Sequence, residues 1–331
     1  MRIVVDAMGG DHAPLAPVSA VCAFAAEHPR VSFTLVGSAA AIRGVRADLP
    51  ANVEVLPAGS VIEAGEEPVQ AVRRKQDSSL VLAAEMVADG RADIMVSAGN
   101  TGALVAAGLL VIGRMHGIDR PALAPVLPTF DGRGVLLLDA GATMDAKPQH
   151  LLQFAHMGAV YSQYVLGVKR PRVGLLNVGT EAGKGNQLTK ATYDLLARSN
   201  LAFIGNLEAR DLMQGTCDVV VCDGFVGNVV LKLVEGVGLG LFNVLRDALT
   251  TNLRAKCGAI LLKPTLKPLF KRFDYSEYGG APFLGVQGGC MKAHGSSNQR
   301  AWYAALAQSV RFVEQDLLRK MSAALSEAGA E

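Results

Sequence analysis

The stretch DIMVSAGNTGALVAAGLLVIG, residues 93–113, decides the fold class of this 331-residue chain. An apolar run leads into a turn at 97–102, and the turn opens directly into a helical pattern without a charged residue. This order predicts a strand, a turn of small residues and a buried helix. The turn can point several backbone N–H groups into one concavity, beside the positive end of the helix dipole. It therefore suits an anion, above all phosphate, and the structural alternative is an ordinary cap by Ser97 or Asn100.

The alternation of strand-like and helical patterns continues along the rest of the chain. It predicts a doubly wound α/β fold, with residues 1–331 forming a single domain. Several strands end in Asp, Gly, Asn or Ser, so we expect polar chemistry at their carboxyl edge, where open α/β sheets bind ligands. The other strand-like runs lie at 3–6, 33–37, 53–56, 134–141, 172–179 and 218–224, and helical patterns lie at 16–28, 79–90, 150–166 and 188–199.

Composition narrows the class of protein. Half of the residues are hydrophobic and only 5% are aromatic, which fits parallel strands covered by closely packed helices. A net charge of +2 argues against a broad nucleic-acid surface. The five cysteines form no CxxC pair and indicate reduced thiols of a cytosolic protein. The chain begins as a strand without room for a signal peptide, and Gly, Lys or Pro interrupts each apolar stretch before it reaches membrane-spanning length.

Polar residues follow the first strand and one of the later strands. After the first strand, Asp11 either caps the next helix or, with His12, orients a polar substrate. The run NVGTEAGKGN, residues 177–186, fails the spacing of a P-loop, which argues against a nucleoside triphosphate. It still places Lys184 between two glycines, where a cation suits an anion. The alternative is a solvated loop lysine.

Two further turns carry candidates nearer the C-terminus. Asn228 lies in the first turn of the helix that follows Asp223, and His294 lies beside Gly and Ser at a predicted helix start. No GxGxxG follows a strand, and no GxSxG elbow is present. These absences argue against a dinucleotide-dependent dehydrogenase and against a serine hydrolase. These candidate residues fit a site that binds an anion and in which the bound anion is itself the reactant.

Seven motifs together carry a family resemblance. They closely resemble the PlsX family of phosphate acyltransferases over nearly the whole chain. In this family Thr143 usually corresponds to Asn, and Phe283 and Gln287 to Leu and Asn. The departure at Thr143 affects a polar contact by Asp139. The departures at Phe283 and Gln287 change the shape of one wall of the site. The motifs are VDAMGGDHAP, SAGNTGAL, DAGA, LLNVGTEAGKGN, DVVVCDGFVGNVVLK, YGGAPFLGVQG and HGSSN.

The resemblance implies a three-layer α/β sandwich like that of isopropylmalate dehydrogenases and phosphotransacetylases, in a homodimer with a cleft active site. It implies transfer of a fatty acyl group from acyl-ACP to inorganic phosphate, giving acyl phosphate for phosphatidic acid synthesis. It also implies no cofactor and no metal. A membrane glycerol-phosphate acyltransferase would consume the product.

Phosphate would be the nucleophile of this reaction, so the enzyme positions the reactants and stabilises charge. The thiol that leaves has a free pKa of about 8.5 and needs little acid assistance. We expect Asn100 and Thr101 to donate to phosphate, Lys184 to offset charge, and Asn228 and His294 to orient the carbonyl. The predicted substrate- and phosphate-binding residues are Asp11, His12, Ser97, Gly99, Asn100, Thr101, Gly102, Asp139 and Asp223.

Two other enzymes fit parts of the same pattern. One is a phosphate acetyltransferase-like enzyme that takes acyl-CoA, and it shares the anion site. The other is an NAD- and metal-dependent dehydrogenase of similar fold. The missing dinucleotide fingerprint and the lack of an aspartate cluster count against the dehydrogenase.

Residues 240–280 break the alternation and are predicted to form a protruding amphipathic or dimer-contact segment. Within them, 253–273 interleave Lys and Arg with Leu, Ile and Phe, without an acid. This pattern suits an anionic lipid surface and places the protein in the cytoplasm, peripherally on the inner face of the cell membrane. The alternatives are a hairpin packed on the dimer partner and a surface for acidic ACP. Pro264 and Pro268 argue against one straight helix. The predicted membrane contacts are Ile260, Leu261, Leu262 and Leu266.

Overall fold

Strands and helices alternate through most of the computed structural model, which describes residues 1–273 and 279–328. The strands are β1 (Arg2–Asp6), β2 (Ser32–Gly37), β3 (Val53–Pro57), β4 (Ile94–Ser97), β5 (Ala122–Leu123), β6 (Val126–Leu127), β7 (Val135–Leu138), β8 (Arg172–Asn177), β9 (Ala202–Glu208), β10 (Val219–Val221), β11 (Ala281–Leu284) and β12 (Gly289–Lys292). The helices are α1 (Leu15–Glu27), α2 (Ala39–Val45), α3 (Pro68–Arg74), α4 (Ser79–Ala88), α5 (Thr101–Ala107), α6 (Pro148–Tyr164), α7 (Gln187–Arg198), α8 (Gly224–Thr250), α9 (Leu253–Phe273), α10 (Gln299–Glu314) and α11 (Leu317–Ala328).

The described strands form two sheets. One has seven strands in the order β3-β2-β1-β4-β12-β11-β5, and the other has five in the order β6-β7-β10-β8-β9. The segment 122–127 runs from one sheet to the other, since the N–H of Ala124 donates to Pro282 and the N–H of Leu137 donates to Pro125. Most neighbouring strands are parallel, as the predicted doubly wound fold requires. The strand-like runs omit β5, β6, β9, β11 and β12, several of which are short or glycine-rich.

Helices cover the sheets on both faces and complete the predicted three-layer sandwich. One continuous apolar core joins α1, α6, α10 and α11 to both sheets, with Trp302 buried in it. A second core joins α3, α4 and α5 to the other face of the seven-stranded sheet. Strand β4 is buried along its whole length between β1 and β12, and its first three side chains are apolar on both faces. Its carboxyl end thus presents the turn 97–102 at the centre of the sheet edge.

Helices α8 and α9 form an exposed pair joined by two residues. Helix α8 is long and apolar enough to cross a bilayer by length and composition, which corrects the prediction that every apolar stretch is interrupted too early. Helix α8 also carries Lys232 and Glu235, and its beginning packs on the five-stranded sheet. Its length and composition alone therefore do not identify it as a membrane span. Helix α9 continues through Pro264 and Pro268, so the prolines do not break it.

The predicted membrane contacts lie on α9. Ile260, Leu261 and Leu262 expose 71%, 81% and 49% of their surface, and Leu266 is half-buried. Exposed apolar side chains next to lysines suit a lipid surface or a second protomer. Membrane contact stays a prediction.

Candidate active site

Three chain segments meet backbone to backbone at the edge of the seven-stranded sheet. A Cβ on Gly9 would lie 2.6 Å from the backbone nitrogen of Gly99, and one on Gly10 would lie 2.9 Å from the carbonyl oxygen of Gly295. The N–H of Asp11 donates to that same carbonyl at 2.8 Å. Side chains at these glycines would push the segments apart, so the glycines are required for the close approach. The three segments form a floor of main chain between β1, β4 and β12.

Ser97 holds the turn in shape from below. Its hydroxyl donates to Oδ2 of Asp6 at 2.7 Å and accepts the N–H of Gly99 at 3.0 Å, and the side chain is fully buried. Ser97 therefore supports the turn and lies beneath the surface on which it was predicted to bind phosphate.

Asn100 caps α5, which is the structural alternative that the sequence left open. Its Oδ1 accepts the N–H of Ala103 at 3.1 Å. Its Nδ2 donates to the carbonyls of Glu63, Ala64 and Glu66 at 3.3, 3.0 and 3.4 Å. Because the amide already has these partners, the prediction that Asn100 donates to phosphate does not match this geometry. Its side chain tethers residues 63–66 to the turn instead.

The neighbouring residues Thr101 and Gly102 differ in position. Thr101 is exposed on the first turn of a helical segment that reaches Ile112, where the first N–H groups have no partner within the helix. A Cβ on Gly102 would lie 2.5 Å from Cγ of Pro68. Gly102 thus permits α3 to pack on α5, and its predicted binding role stays a prediction.

A large cavity of about 1770 Å³ lies above this floor, between the sheet edge and α8. It brings together many of the predicted residues from distant parts of the sequence. One end is polar, and the remainder is lined mainly by aliphatic and aromatic side chains of α8 and of residues 123–130. The predicted residues on its lining are Asp11, Gly99, Asn100, Thr101, Asn228 and His294.

Lys292 lines the polar end, and the sequence analysis did not single it out. It is the last residue of β12, is only 7% exposed, and donates through Nζ to the carbonyl of Ala293. Burial lowers the pKa of Lys292 to about 8, although Asp6 and Asp11 act in the opposite direction. The sequence could have identified Lys292 as a site residue, because it ends the otherwise uncharged run GGCMK and buried lysines are rare outside functional sites.

His294 follows Lys292 on the same wall. Its Nδ1 accepts the N–H of Ser296 at 3.2 Å and lies 2.8 Å from the Ser296 hydroxyl. The neutral ring therefore carries its proton on Nε2, which lies 3.7 Å from Oε1 of Glu235. Burial lowers the pKa of His294, while Glu235 acts in the opposite direction.

Glu235 also pairs with Lys232, at 2.8 Å between Oε2 and Nζ, on the next turn of α8. Both residues line the cavity, and both were missed. Two charges three residues apart in the otherwise apolar stretch 229–242 were the signal that could have identified them.

Besides Ser97 and Gly102, four more predicted residues lie outside the lining of this cavity. Asp139 is fully buried and accepts backbone N–H groups of Leu123 and Thr143, among others. Burial raises its pKa to about 6, and these bonds act in the opposite direction. Thr143 donates its main-chain N–H to Asp139. The contact is therefore kept although this chain has Thr where the family usually has Asn. Asp223 caps α8 by accepting the N–H of Val226. The remaining two, His12 and Lys184, are exposed.

Lys184 lies in the loop after β8, in the five-stranded sheet. The loop is shaped by Asn177, whose Nδ2 donates to the carbonyl of Lys184 at 3.1 Å, and by Gly185, which has a φ of +93°. Within one protomer, the Lys184 ammonium is therefore on the surface. It lies outside the lining of the cavity that brings together Asn228 and His294, the other two predicted catalytic residues. Across residues 1–273 and 279–328, no group of three or more His, Cys, Asp and Glu side chains is arranged to hold a metal ion.

Comparison with known proteins matches this architecture to one family. The family model described as "fatty acid synthesis protein" matches residues 1–320. The phosphate acyltransferase of Brevibacillus brevis is 56% identical over 318 residues, which cover 96% of this chain and 95% of that protein. The phosphate acyltransferase of Bacillus subtilis strain 168 is 53% identical over 318 residues and 96% of both chains.

The chain belongs to the PlsX family of phosphate acyltransferases. It is thus an acyltransferase, and the dehydrogenase alternative is set aside. Solved structures agree on the fold. A phosphotransacetylase from Streptococcus pyogenes superposes with a TM-score of 0.63 at 15% identity, over 94% of this chain and 93% of that one. EutD phosphotransacetylase from Staphylococcus aureus gives 0.57 at 15% identity, over 94% of each chain.

Proposed function

We propose that the chain transfers a fatty acyl group from acyl-ACP to inorganic phosphate, giving acyl phosphate for phospholipid synthesis. The observation that carries the proposal is one continuous cavity whose polar lining includes Lys292 and Lys232 and whose remaining lining is mainly apolar. Its volume of about 1770 Å³ exceeds the roughly 300–1,000 Å³ of an ordinary small-molecule site. A phosphate, a thioester and a fatty chain together need such space.

Phosphate would bind between the start of α5 and the end of β12. Thr101 offers a hydroxyl and stands on a helix N-terminus, which favours an anion. Lys292 supplies a buried ammonium on the facing strand, and Lys232 adds a second cation from α8. Because Lys292 is buried, its charge acts more strongly on a phosphate than it would in water.

The thioester carbonyl would lie beside His294 and Asn228. The Nε2–H of neutral His294 and the amide of Asn228 are donors suited to a developing oxyanion. A phosphate oxygen forms the new bond to the carbonyl carbon, the carbon–sulfur bond breaks, and the thiolate leaves with the electron pair. The reaction needs no protein nucleophile and no cofactor.

Lys184 keeps its predicted charge-offsetting role only if a second protomer or closure of the two sheets brings it to the cavity. The proposed homodimer offers the first route. At a phosphate concentration too low for efficient turnover by either Lys184→Ala or Lys292→Ala protein alone, mixing the two would then restore part of the activity, because some mixed dimers contain one intact site. Full activity of Lys184→Ala alone would remove Lys184 from the site.

Phosphate-dependent release of free thiol from palmitoyl-ACP tests the function directly. We expect release with phosphate and none without it, together with one acyl phosphate per thiol. Palmitoyl-CoA at the same concentration is the comparison that separates an ACP-dependent enzyme from the phosphate acetyltransferase-like alternative. Faster turnover of the CoA thioester, or release without phosphate, would contradict the proposal.

The proposed cytoplasmic location at the inner face of the membrane rests on α9. A reactive acyl phosphate made there would be passed to a membrane glycerol-phosphate acyltransferase. Flotation with vesicles that contain anionic lipid should carry the protein upward, and Leu261→Glu with Leu262→Glu should abolish flotation. Competition by ACP would show whether the lysines of α9 bind ACP instead.

A further inference from the structure

Three polar side chains stand side by side at the carboxyl ends of β1, β4 and β12. Ser97 pairs with Lys292 in the register of β4 and β12. Asp6 follows Val5, which pairs with Val96, so Asp6 lies level with Ser97 on its other side. Residues that are level with one another on neighbouring strands point to the same face of a sheet. Asp6, Ser97 and Lys292 therefore form one row of strand-end side chains, and all three are buried.

Asp6 orients the start of the turn at 97–102. Its Oδ2 accepts the Ser97 hydroxyl at 2.7 Å, and that hydroxyl in turn accepts the N–H of Gly99 at 3.0 Å. Asp6 also lies directly beneath the main-chain floor, since a Cβ on Gly9 would lie 2.7 Å from its Oδ2. The side chain is 2% exposed and does not line the cavity. Asp6 therefore acts on the floor from below, through Ser97.

Asp6 also acts on the charge of Lys292. Burial lowers the pKa of Lys292 to about 8, and Asp6 has the largest effect among the groups that oppose burial. Two other carboxylates act in the same direction as Asp6, but both line the cavity, where they would face a bound anion. Asp6 favours the charged form of Lys292 from the side away from the ligand. The other charged or titratable groups around Lys292 are Asp11 on the floor, Lys232 and Glu235 on α8, His294 on the same wall and Arg300 at the start of α10.

We propose that Asp6 is a positioning residue of the phosphate site, which holds the turn at 97–102 through Ser97 and keeps Lys292 charged opposite that turn. This inference rests on the proposed function and assigns a role to a residue beneath the same site. A carboxylate with a structural role alone would change phosphate affinity by the same factor at every pH. The proposed role instead predicts a change in the pH range over which phosphate binds.

Phosphate affinity, measured by isothermal titration calorimetry between about pH 6 and about pH 10, tests the inference without an acyl donor. Wild type should lose affinity above about pH 8, where Lys292 loses its proton. Asp6→Asn should move this loss to lower pH by about one pH unit, because the amide lacks the charge that opposes burial. Ser97→Ala keeps the carboxylate, so it should weaken binding by about three- to tenfold without moving the loss. Phosphate itself titrates in this range, so each variant is compared with wild type at the same pH.

Asp93→Asn is the matched control. Asp93 precedes β4 at the opposite end of the same strands. Its side chain accepts the N–H of Arg2 at 2.7 Å and pairs with the Arg2 guanidinium at 3.0 Å. The substitution removes a hydrogen-bonded carboxylate far from Lys292, so phosphate affinity should stay within about twofold of wild type at each pH.

Two results would overturn the inference. The first is an Asp6→Asn protein whose phosphate affinity falls at the same pH as that of wild type. The second is wild-type phosphate affinity in Ser97→Ala, a result that counts even where Asp6→Asn does not fold. A wild-type protein that binds phosphate over the expected pH range but releases no thiol from palmitoyl-ACP would instead refute the proposed function, so the two failures can be told apart.

Discussion

Lys292→Met is expected to stabilise the folded protein and to weaken phosphate binding at the same time. The Lys292 side chain is 7% exposed, and burial lowers its pKa from an ordinary 10.5 to about 8. This difference corresponds to about 3 kcal/mol of unfavourable free energy for the charged form in the folded protein. Methionine has a similar length and no charge. At pH 7 the variant should therefore unfold with a free energy up to about 3 kcal/mol above wild type.

The stability gain should depend on pH with a defined sign. Between pH 8 and 10.5, folded wild type loses the Lys292 proton while the unfolded chain still binds it, so wild-type stability rises with pH in this window. The variant lacks this rise. The difference between the two proteins should be largest below pH 8 and should disappear toward pH 10.5.

Urea unfolding followed by tryptophan fluorescence measures both effects. Trp302 is the single tryptophan and is 1% exposed, so its emission reports on the core. Both proteins are compared at one concentration, because association would shift apparent stability. Lys232→Met is the control, since this exposed lysine in a surface ion pair should change stability by about 1 kcal/mol or less.

Phosphate kinetics complete the test. Loss of a charged hydrogen bond of about 1.5 kcal/mol should raise KM for phosphate by on the order of tenfold in Lys292→Met. A variant less stable than wild type at pH 7, or a stability difference that is equal at pH 7 and pH 10, would refute the reasoning about burial. An unchanged KM for phosphate would refute the proposed contact.

Three further predictions test the local geometry. Asn100→Ala should lower the free energy of unfolding by about 1 kcal/mol and speed proteolysis at 63–66, because it removes a cap and a tether; normal protection there would contradict the assignment. Gly9→Ala should cost about 1–3 kcal/mol, because its Cβ would lie 2.6 Å from the nitrogen of Gly99, and an unchanged melting temperature would argue against that close approach. A thiol reagent should modify Cys257 rapidly in the folded protein, and all five cysteines only in urea. A second fast thiol would contradict the burial of Cys22, Cys217, Cys222 and Cys290.

Local patterns were sufficient to predict the fold class. Apolar runs bounded by small polar residues predicted β1, β4, β7, β8 and β10, and the alternation with helices predicted a parallel sheet under two helical layers. These features depend on side-chain periodicity within one segment, which a sequence displays directly. Short strands such as β11 and β12 were missed because their formation depends on neighbours far along the chain.

The grouping of polar turns into one site was only partly predictable. Asp11, the turn 97–102, Asn228 and His294 do converge, because parallel strands bring their carboxyl ends to one edge. Lys184 follows a strand of the same type but belongs to the other sheet, and the sequence pattern does not say which sheet a strand joins. Lys292 and Glu235 were overlooked because only the packed fold shows that each lines the cavity.

By itself, the sequence determined a doubly wound α/β phosphate acyltransferase, and it predicted an anion-binding turn at 97–102. Tertiary structure alone decided that Asn100 caps and tethers, that Ser97 and Asp139 support the backbone, and that Lys292 faces the cavity. The physical reason is that a side chain's role depends on which donors, acceptors and charges surround it. Those neighbours come from strands and helices that are distant in sequence, and only the packed fold brings them within hydrogen-bonding distance.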